Sequence, residues 1–554
     1  MEEQLRNPHP YLSGNFAPIK RCRPLTPCTH TGRIPQELAG GQYVRNGGNP
    51  LTNDDHDRDA HWFDGDGMLS GVLFRRQGEK ETEIVPEFVN QYVLTDVYLN
   101  AKGNQNLKRP LLPSIATLIS ASLLTIITVV LRTFALVFLS NFPGSRRTIK
   151  KISVANTGVV YHDGRALATC ESGPPMRFEL PSLETIGWFN GRKAENEPSR
   201  DSRSGFGGEG PIAFMKEWTT GHPRVDPVTK ELISFHGVFI KPYEPQKIQW
   251  FETNPCVIFH TANCWETTSQ APATETSVHL LACRLTSASV VYSAGALQPP
   301  VPKPVPPEYV EEEQCRLYYY EFPLVADGSD ETPTIRNQWA LSAVPMEFPT
   351  LSPSCYMKPA RYVYGCSTDS SSYSESSLGK AAKIDLIGKI DTATLIARGM
   401  AQPPQQIKGC VDTRTPDEVM QSTDPNDPVK IFRMPEGWFT QEPRFVPRSN
   451  PKSEDDGWLL TYVFDESQLD ENGECPEDAI SELWIIDAIS MKEVVGKIKL
   501  PQRVPYGLHG TWFSEEEIAE QRPFDSLRRE VCKDELDLKS PLSVVRARLE
   551  RWLG

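Results

Sequence analysis

The sequence predicts an all-β fold made of many short antiparallel strands. Three observations carry this. Proline and glycine are plentiful, 48 and 37 of 554 residues, and helical periodicity is scarce. Apolar alternating runs are cut repeatedly by turn residues along the whole chain. Asp-Gly pairs sit between such runs and supply the positive φ that a tight hairpin needs.

Length alone suggests several domains, but closed all-β architectures can run this long as one unit. Charged residues are 23% and hydrophobic ones 39%, the balance of a soluble globular protein. A formal charge of −14 argues against broad nucleic-acid binding, because phosphate backbones need a basic face. The opening "MEEQLRNPHPYLSGNFAPIKRC" has no apolar core of the signal-peptide kind, so a cytoplasmic location is expected. Twelve scattered cysteines with no CxxC pair then suit reduced thiols better than a disulfide frame.

Taken in order, 40–78 contains "FDGDG" (63–67), a turn between two strands that lacks the further acidic ligands and closing Glu of a calcium loop. Stretch 152–190 repeats the pattern, with "YHDGR" as a hairpin turn before an alternating run from Ala166 to Cys170. The pattern returns at 280–293, 316–323, 359–366, 456–465 and 482–500, the last reading as strand, Asp-Ala turn, strand. Repeated units of this size suggest a sandwich or a β-propeller, and no residue-level repeat chooses between them. The stretches 298–310 and 367–379 read as surface loops.

Two segments break the pattern. Residues 111–131, "LLPSIATLISASLLTIITVVL", carry no charge. Lys108 and Arg109 stand before them; Arg132, Arg146, Arg147, Lys150 and Lys151 follow. A bilayer span would separate β-rich chain on its two sides, so a patch over 111–139 that dips into one leaflet fits better. A buried helix and a true span remain the alternatives. The expected organisation is one β-rich domain over 1–513 and a tail over 514–554. In the tail, Ser540 is a candidate N-cap and Pro541 opens a helix. Leu542, Val545, Leu549 and Trp552 share one face, expected to dock on the body.

There are ten histidines. His9, His30 and His56 lie in polar loops, while His61 and His162 sit beside hairpin turns. His222 ("TTGHPRVDP"), His260 ("CVIFHTANCWE") and His509 ("VPYGLHGTWF") stand at the edges of apolar or aromatic strands, next to small residues. Strands that converge on a propeller axis could bring three such imidazoles together, a donor set suited to Fe(II), Zn(II) or Cu(II). The alternative is three hydrogen-bonded core histidines.

The words "NPHPYLSGNFAPIK", "GQYVRNGGNP", "HWFDGDGML", "ATCESGPPMRF", "GHPRVDPVTKELISFHG", "IFHTANCWE", "QEPRFVPR" and "YGLHGTWF" occur in that order from about residue 8 to 513. Together they resemble the carotenoid cleavage oxygenase family. The resemblance implies a seven-bladed β-propeller catalytic domain with non-haem Fe(2+) on its axis. It also implies O2-dependent cleavage of a conjugated C=C bond of a carotenoid or apocarotenoid to aldehyde or ketone products. Cleavage of a stilbene-type phenolic is the runner-up. Family iron is held by four histidines, backed in the second rank by glutamates. Motif by motif, the first, third and fourth metal ligands match His222, His260 and His509, and the glutamates match Glu171, Glu347 ("PMEFPT") and Glu442. The apolar patch at 111–139 matches a membrane-contacting surface from which members take greasy polyenes.

The sequence departs from that pattern at one place. The family's second histidine belongs to an "HDF"-type strand between the first and third, and no such word is present. His260 follows His222 by only 38 residues, and "FIKPY" runs through "KPYEPQK" (241–247) straight into "KIQWFETNPCVIFH". His236 lies between them in a different motif and is expected to be a strand residue; Glu244 stands beside the join without support as a substitute ligand. A segment missing between Tyr243 and Lys247 would leave one blade region truncated, with exposed strand edges, and Glu171 without its partner. The chain is then either a truncated or alternatively spliced form of a normal enzyme, or a natural three-histidine variant. An inactive homologue that binds an apolar ligand is a further alternative.

Overall fold

Asp163 and Gly164 join the strands Gly158–His162 and Arg165–Thr169. Their φ angles of 50° and 72° are those a two-residue hairpin loop demands, so the Asp-Gly signal is realised as written. The computed structural model describes residues 9–553 apart from 53–57, 78–82, 103–106, 143–147, 199–204, 206–216, 235, 238–248, 270–274, 302–305, 308–309, 326–332, 370–382 and 530–540.

Strand–turn units of this kind assemble five sheets of four to six strands. The first combines Arg23–Pro27, Gln42–Arg45, Met68–Gln77 and Glu83–Tyr92 with Gly510–Phe513 from near the other end of the chain. The second is Gly158–His162, Arg165–Thr169, Met176–Phe178 and Thr185–Trp188. The third holds Val257–Ser269, Glu275–Leu285, Cys315–Pro323 and Asn337–Ser342, with Cys410–Asp412 added in parallel. The fourth holds Glu347–Thr350, Tyr362–Ser367, Leu386–Asp391 and Val429–Arg433. The fifth holds Trp438–Thr440, Arg444–Pro447, Gly457–Asp465, Glu482–Asp487 and Val494–Lys499, completed by Thr29–Gly32. The ends of the chain are thus sewn together twice, through Gly510–Phe513 on Gln42–Arg45 and through Thr29–Gly32 on Val494–Lys499.

Apolar side chains between adjacent sheets fix their order around the ring. Trp188 and Phe178 of the second sheet pack with Val44, Val89 and Phe513 of the first. Tyr43, Phe74 and Phe88 of the first pack with Trp458, Tyr462 and Ile485 of the fifth. Tyr364 and Ile387 of the fourth meet Phe445, Leu459 and Trp484 of the fifth, and Val363 and Ile390 of the fourth meet Leu317, Tyr319 and Trp339 of the third. Among the described residues no such core joins the third sheet to the second. On that side the chain builds two two-stranded ribbons, Trp218–Thr219 with His236–Gly237 and Arg224–Val225 with Leu232–Ile233. The outer strand of the third sheet, Val257–Ser269, is accordingly largely exposed, whereas Glu275–Leu285 beside it is mostly covered.

The propeller therefore shows five blades, not the seven expected. The physical reason is length: a four-stranded blade takes about 40 residues, and the 38-residue step from His222 to His260 leaves no room for two. The join at 241–247, with Tyr243, Glu244 and Lys247, lies outside the described residues. So do His56, Arg146, Arg147 and Ser540.

The apolar insertion is two helices. Ser114 caps Ile115–Ser120, and Ser122 caps Leu123–Leu139 by accepting the Thr125 N–H. The extended backbone at Ala121 and Ser122 breaks the run before it can form one long helix. Among the described residues no helix is long and apolar enough to cross a membrane. Leu136, Val137 and Leu139 are buried, while Leu123, Leu124, Leu131 and Phe138 are exposed.

Beyond Phe513 the chain turns back: a buried Arg528 pairs with Asp96, and Gln521 exchanges hydrogen bonds with the backbone of Leu180. The terminal helix Pro541–Leu553 lies beside Leu123–Leu139, but opposite to expectation. Ser543, Arg546 and Glu550 face inward, and Leu542, Val545, Leu549 and Trp552 face out.

Phe513 is fully buried in the closing strand, edge-on to Tyr161 and Phe178. Phe513→Ala is expected to cost about 3–5 kcal/mol in urea unfolding, the scale of a core aromatic truncation.

Candidate metal centre

Three histidines from three separate parts of the chain meet at the axis. His222 follows Gly221 in the loop after Trp218–Thr219. A Cβ on Gly221 would lie 2.2 Å from a Glu171 carboxylate oxygen, so any other residue there would displace that side chain, and its carbonyl is pinned by the Thr169 hydroxyl at 2.6 Å. His260 sits where the pairing of Val257–Ser269 with its neighbour slips between Ile258 and Thr261, a bulge that re-aims the side chain. His509 directly precedes the closing strand. Its N–H donates to Thr157 and its carbonyl accepts from Asn46, which ties it to the second and first sheets.

The three rings form a nearly equilateral triangle, with centroids 4.7, 4.8 and 5.0 Å apart and interplanar angles of 84°, 74° and 89°. Nε2 of His509 lies 3.0 Å from Nε2 of His222 and 3.1 Å from Nε2 of His260. Behind two of the rings stand buried carboxylates. Nδ1–H of His260 donates to Glu347 at 2.5 Å, and Nδ1–H of His509 donates to Glu442 at 2.9 Å. These bonds assign the tautomer: the proton is on Nδ1, and Nε2 carries a lone pair. Two acceptor nitrogens 3.1 Å apart repel unless a cation lies among them.

The carboxylates are themselves placed by backbone. Glu442 accepts the Gly510 N–H at 2.7 Å, and Glu347 accepts the Phe348 N–H at 2.8 Å. Phe348 adopts φ of 51°, left-handed for a residue with a bulky side chain, and this strain lies directly beside the site. Burial opposes ionisation of Glu442, yet the adjoining His509 ring and its hydrogen bond, the Gly510 N–H and Arg444 together hold its carboxyl below the ordinary glutamate value. The His222 side chain is 35% exposed, but the edge that faces the cluster is desolvated. That burial first, and then His509, His260 and Arg224, push its pKa far down and keep it neutral. The second oxygen of Glu347 is buried with no hydrogen-bond partner among the described residues. A buried carboxylate so placed is costly without positive charge nearby.

Neutral imidazoles, perpendicular rings, convergent lone pairs and buried carboxylates suit a divalent ion such as Fe(2+), and the donor set fits the group. Glu171 behaves differently from the other two. It is half exposed, 3.6 Å from Nδ1 of His222 and hence beyond hydrogen-bond range, and it accepts from the Thr157 hydroxyl at 3.0 Å. Every sheet contributes to the axis: His509 from the first, Glu171 from the second, His260 from the third, Glu347 from the fourth and Glu442 from the fifth. His236 lies in a ribbon strand, its backbone paired with Thr219.

Sequence reasoning missed the aromatic wall. Phe348 lies 5.0 Å from His260 and 5.2 Å from His509, ring to ring, and is flanked by Trp62. Phe63 meets Phe259 edge-on. Trp62 and Phe63 belong to "HWFDGDGML", whose Asp64 accepts from the Ser114 hydroxyl at 2.5 Å and the Ile115 N–H at 3.0 Å. One motif therefore both lines the site and caps the first apolar helix. The signal is the run of aromatics around Asp64, beside a turn.

A ring of five sheets with a histidine-lined axis backed by glutamates defines a β-propeller with a candidate metal centre. The chain belongs to the carotenoid cleavage oxygenase family: the family profile described as "Retinal pigment epithelial membrane protein" matches residues 16–248 and 237–514. The carotenoid dioxygenase carX of Gibberella fujikuroi is 44% identical over 669 positions, covering 99% of this chain and 93% of the relative. The carotenoid 9,10(9',10')-cleavage dioxygenase 1 of Arabidopsis thaliana is 27% identical, covering 92% of this chain and 91% of its own. The chain is thus a carotenoid-cleavage-type dioxygenase by family. In fold it is similar to the Pseudomonas brassicacearum lignostilbene dioxygenase (TM-score 0.58, 16% identity, 92% and 99% of the two chains). It is also similar to cobalt-substituted Synechocystis ACO (TM-score 0.52, 18% identity, 89% and 96%). The two profile matches overlap at 237–248, across the join at 241–247, and the alignment to carX is longer than the 554-residue chain.

Glu442→Gln removes the carboxylate charge and leaves one acceptor oxygen for two donors, the His509 Nδ1–H and the Gly510 N–H, and should weaken divalent-metal binding by about 10–100-fold in an anaerobic Fe(II) titration. Glu171→Gln, which loses no hydrogen bond to a histidine, should leave the same titration nearly unchanged.

Proposed function

We propose that this chain is an Fe(II)-dependent dioxygenase that cleaves a conjugated C=C bond of a carotenoid or apocarotenoid. The observation that carries the proposal is the set of three convergent imidazoles, two of them held by buried glutamates. The likeness to carX along almost the whole chain supports the substrate class. The reaction balances without an external reductant, since both atoms of O2 end in the two carbonyl products.

In this reading His222, His260 and His509 hold the metal, which when bound supplies the activation that a singlet alkene and triplet O2 lack. Glu347 and Glu442 keep the protons of His260 and His509 on Nδ1, so that both rings present Nε2 and stay neutral. Phe348, Trp62, Phe63 and Phe259 offer π faces and apolar edges that suit a polyene and keep water from it. The exposed face of Leu123–Leu139, with Lys108, Arg109 and Lys150 exposed around it, suits peripheral contact with a membrane in which such a substrate dissolves. The free thiols of Cys170, Cys283 and Cys315 suit the reducing cytoplasm.

A stilbene substrate has support only from likeness of fold. The overlap of the two profile matches at the join favours a second reading of the centre, in which a ligand-bearing segment, and with it two whole blades, belongs between Tyr243 and Lys247. On that reading Glu171 is the carboxylate left over from the absent histidine, and the chain as it stands binds its apolar ligand without turning it over.

Anaerobic loading with Fe(II), followed by O2 and β-carotene, an apocarotenal or resveratrol, separates these readings. The expected result is one iron per chain and aldehyde products from β-carotene or the apocarotenal. Products from resveratrol alone would move the substrate to the stilbene class, and iron without any product would favour the incomplete form. An open reading frame for an "HDF"-type strand in the DNA between the Tyr243 and Lys247 codons would identify the missing segment.

A further inference from the structure

The terminal helix Pro541–Leu553 is docked with its polar side inward. Its covered positions are Ser543, Arg546 and Glu550, spaced three and four apart, with Arg546 donating to Glu550 at 2.8 Å. Its apolar positions Leu542, Val545, Leu549 and Trp552 form the outward stripe, and Trp552 is 82% exposed. An amphipathic helix ordinarily buries its apolar stripe against the body. Here the body takes the polar stripe, and the apolar one needs another environment.

The position of the helix indicates which environment. Leu553 packs at the edge of the cluster of Leu111, Leu136 and Val137, and its carbonyl accepts from Nε of Arg132 at 2.8 Å. The neighbours of this bonded pair in sequence, Leu131 and Trp552, are both exposed, so the stripe Leu124, Ile127, Leu131, Phe134 and Phe138 continues onto the terminal helix. We infer that the two helices form one membrane-docking surface, and that Pro541–Leu553 seats its apolar stripe in an anionic lipid monolayer beside Leu123–Leu139. The inference rests on the proposed membrane contact of 111–139 and adds the chain's last helix to it.

Charge selects lipid over a second copy of this chain. Lys108, Arg109, Lys150, Arg548 and Arg551 are exposed on or next to these helices. The helix Leu123–Leu139 has no acidic residue, and the only one in Pro541–Leu553, Glu550, is buried. A two-fold contact through this face would bring basic rims together with no exposed carboxylate on either helix to answer them. An anionic headgroup layer meets that rim, on a chain whose net charge is −14. Trp552 beside Arg551 at the helix end is the aromatic and cationic pairing that suits the headgroup boundary.

Flotation of the full chain with phosphatidylcholine vesicles, with and without phosphatidylserine, tests this. Three forms are compared: the unaltered chain, Val545→Glu with Leu549→Glu and Trp552→Glu, and Leu123→Glu with Leu124→Glu. All five substituted residues are exposed, and circular dichroism melts verify that the fold is kept. The expected result is flotation of the unaltered chain that rises with phosphatidylserine, and a loss of on the order of tenfold in both variants. Trp552→Phe should also lower the fraction of tryptophan emission quenched by brominated lipid. If the terminal-helix variant floats like the unaltered chain while the Leu123/Leu124 variant does not, the inference is overturned and the membrane contact of 111–139 stands. If the unaltered chain does not float, both fall. A concentration-dependent dimer in sedimentation that the terminal-helix variant abolishes, with flotation unchanged, assigns the face to a second copy and also overturns the inference.

Discussion

The site depends on the mutual approach of three imidazoles, two of which, His260 and His509, present acceptor nitrogens that would repel one another unless a cation lay among them. His260 and His509 each give their Nδ1 proton to a buried glutamate, so their Nε2 atoms meet as acceptors 3.1 Å apart. Glu347 and Glu442 are in turn held by the Phe348 and Gly510 N–H groups. Each rank of the site fixes the one inside it, and the outermost rank is the backbone of the propeller.

That explains why ring closure matters for chemistry as well as stability. His509 immediately precedes the strand that pairs with Gln42–Arg45, so the bond between the two ends of the chain also places a ring on the axis. Glu442 lies between two short strands of the neighbouring fifth sheet, and its bonds to His509 and Gly510 cross from that sheet to the closing strand. On the opposite side the support is thinner. His222 stands among two-stranded ribbons, is the most exposed of the three, and has only a distant carboxylate behind it. The most exposed of the three imidazoles thus stands on the side of the ring built from two-stranded ribbons.

Much of this was legible in the sequence. The Asp163-Gly164 hairpin, the strands on either side of the 488–491 turn and the three histidines follow from turn chemistry and motif order. The pairing of Glu347 with His260 and of Glu442 with His509 needed the fold, because nothing local links residues that are 87 and 67 positions apart. The blade count was misjudged because seven came from the family pattern, whereas the short step from His222 to His260 already ruled out whole blades there. The terminal helix was placed correctly as amphipathic but turned the wrong way. Periodicity shows that a helix has an apolar side, and only its neighbours decide where that side points. The same limit hid Phe348, whose role comes from a strained backbone and from rings that meet in space.

The most direct test of the three-imidazole centre is X-ray absorption at the iron edge of the full chain, loaded with Fe(II) without oxygen. Three imidazole ligands are expected in the unaltered protein and two, with weakened binding, in His260→Ala. Iron bound through one imidazole or none, or a spectrum that His260→Ala leaves unchanged, would contradict it.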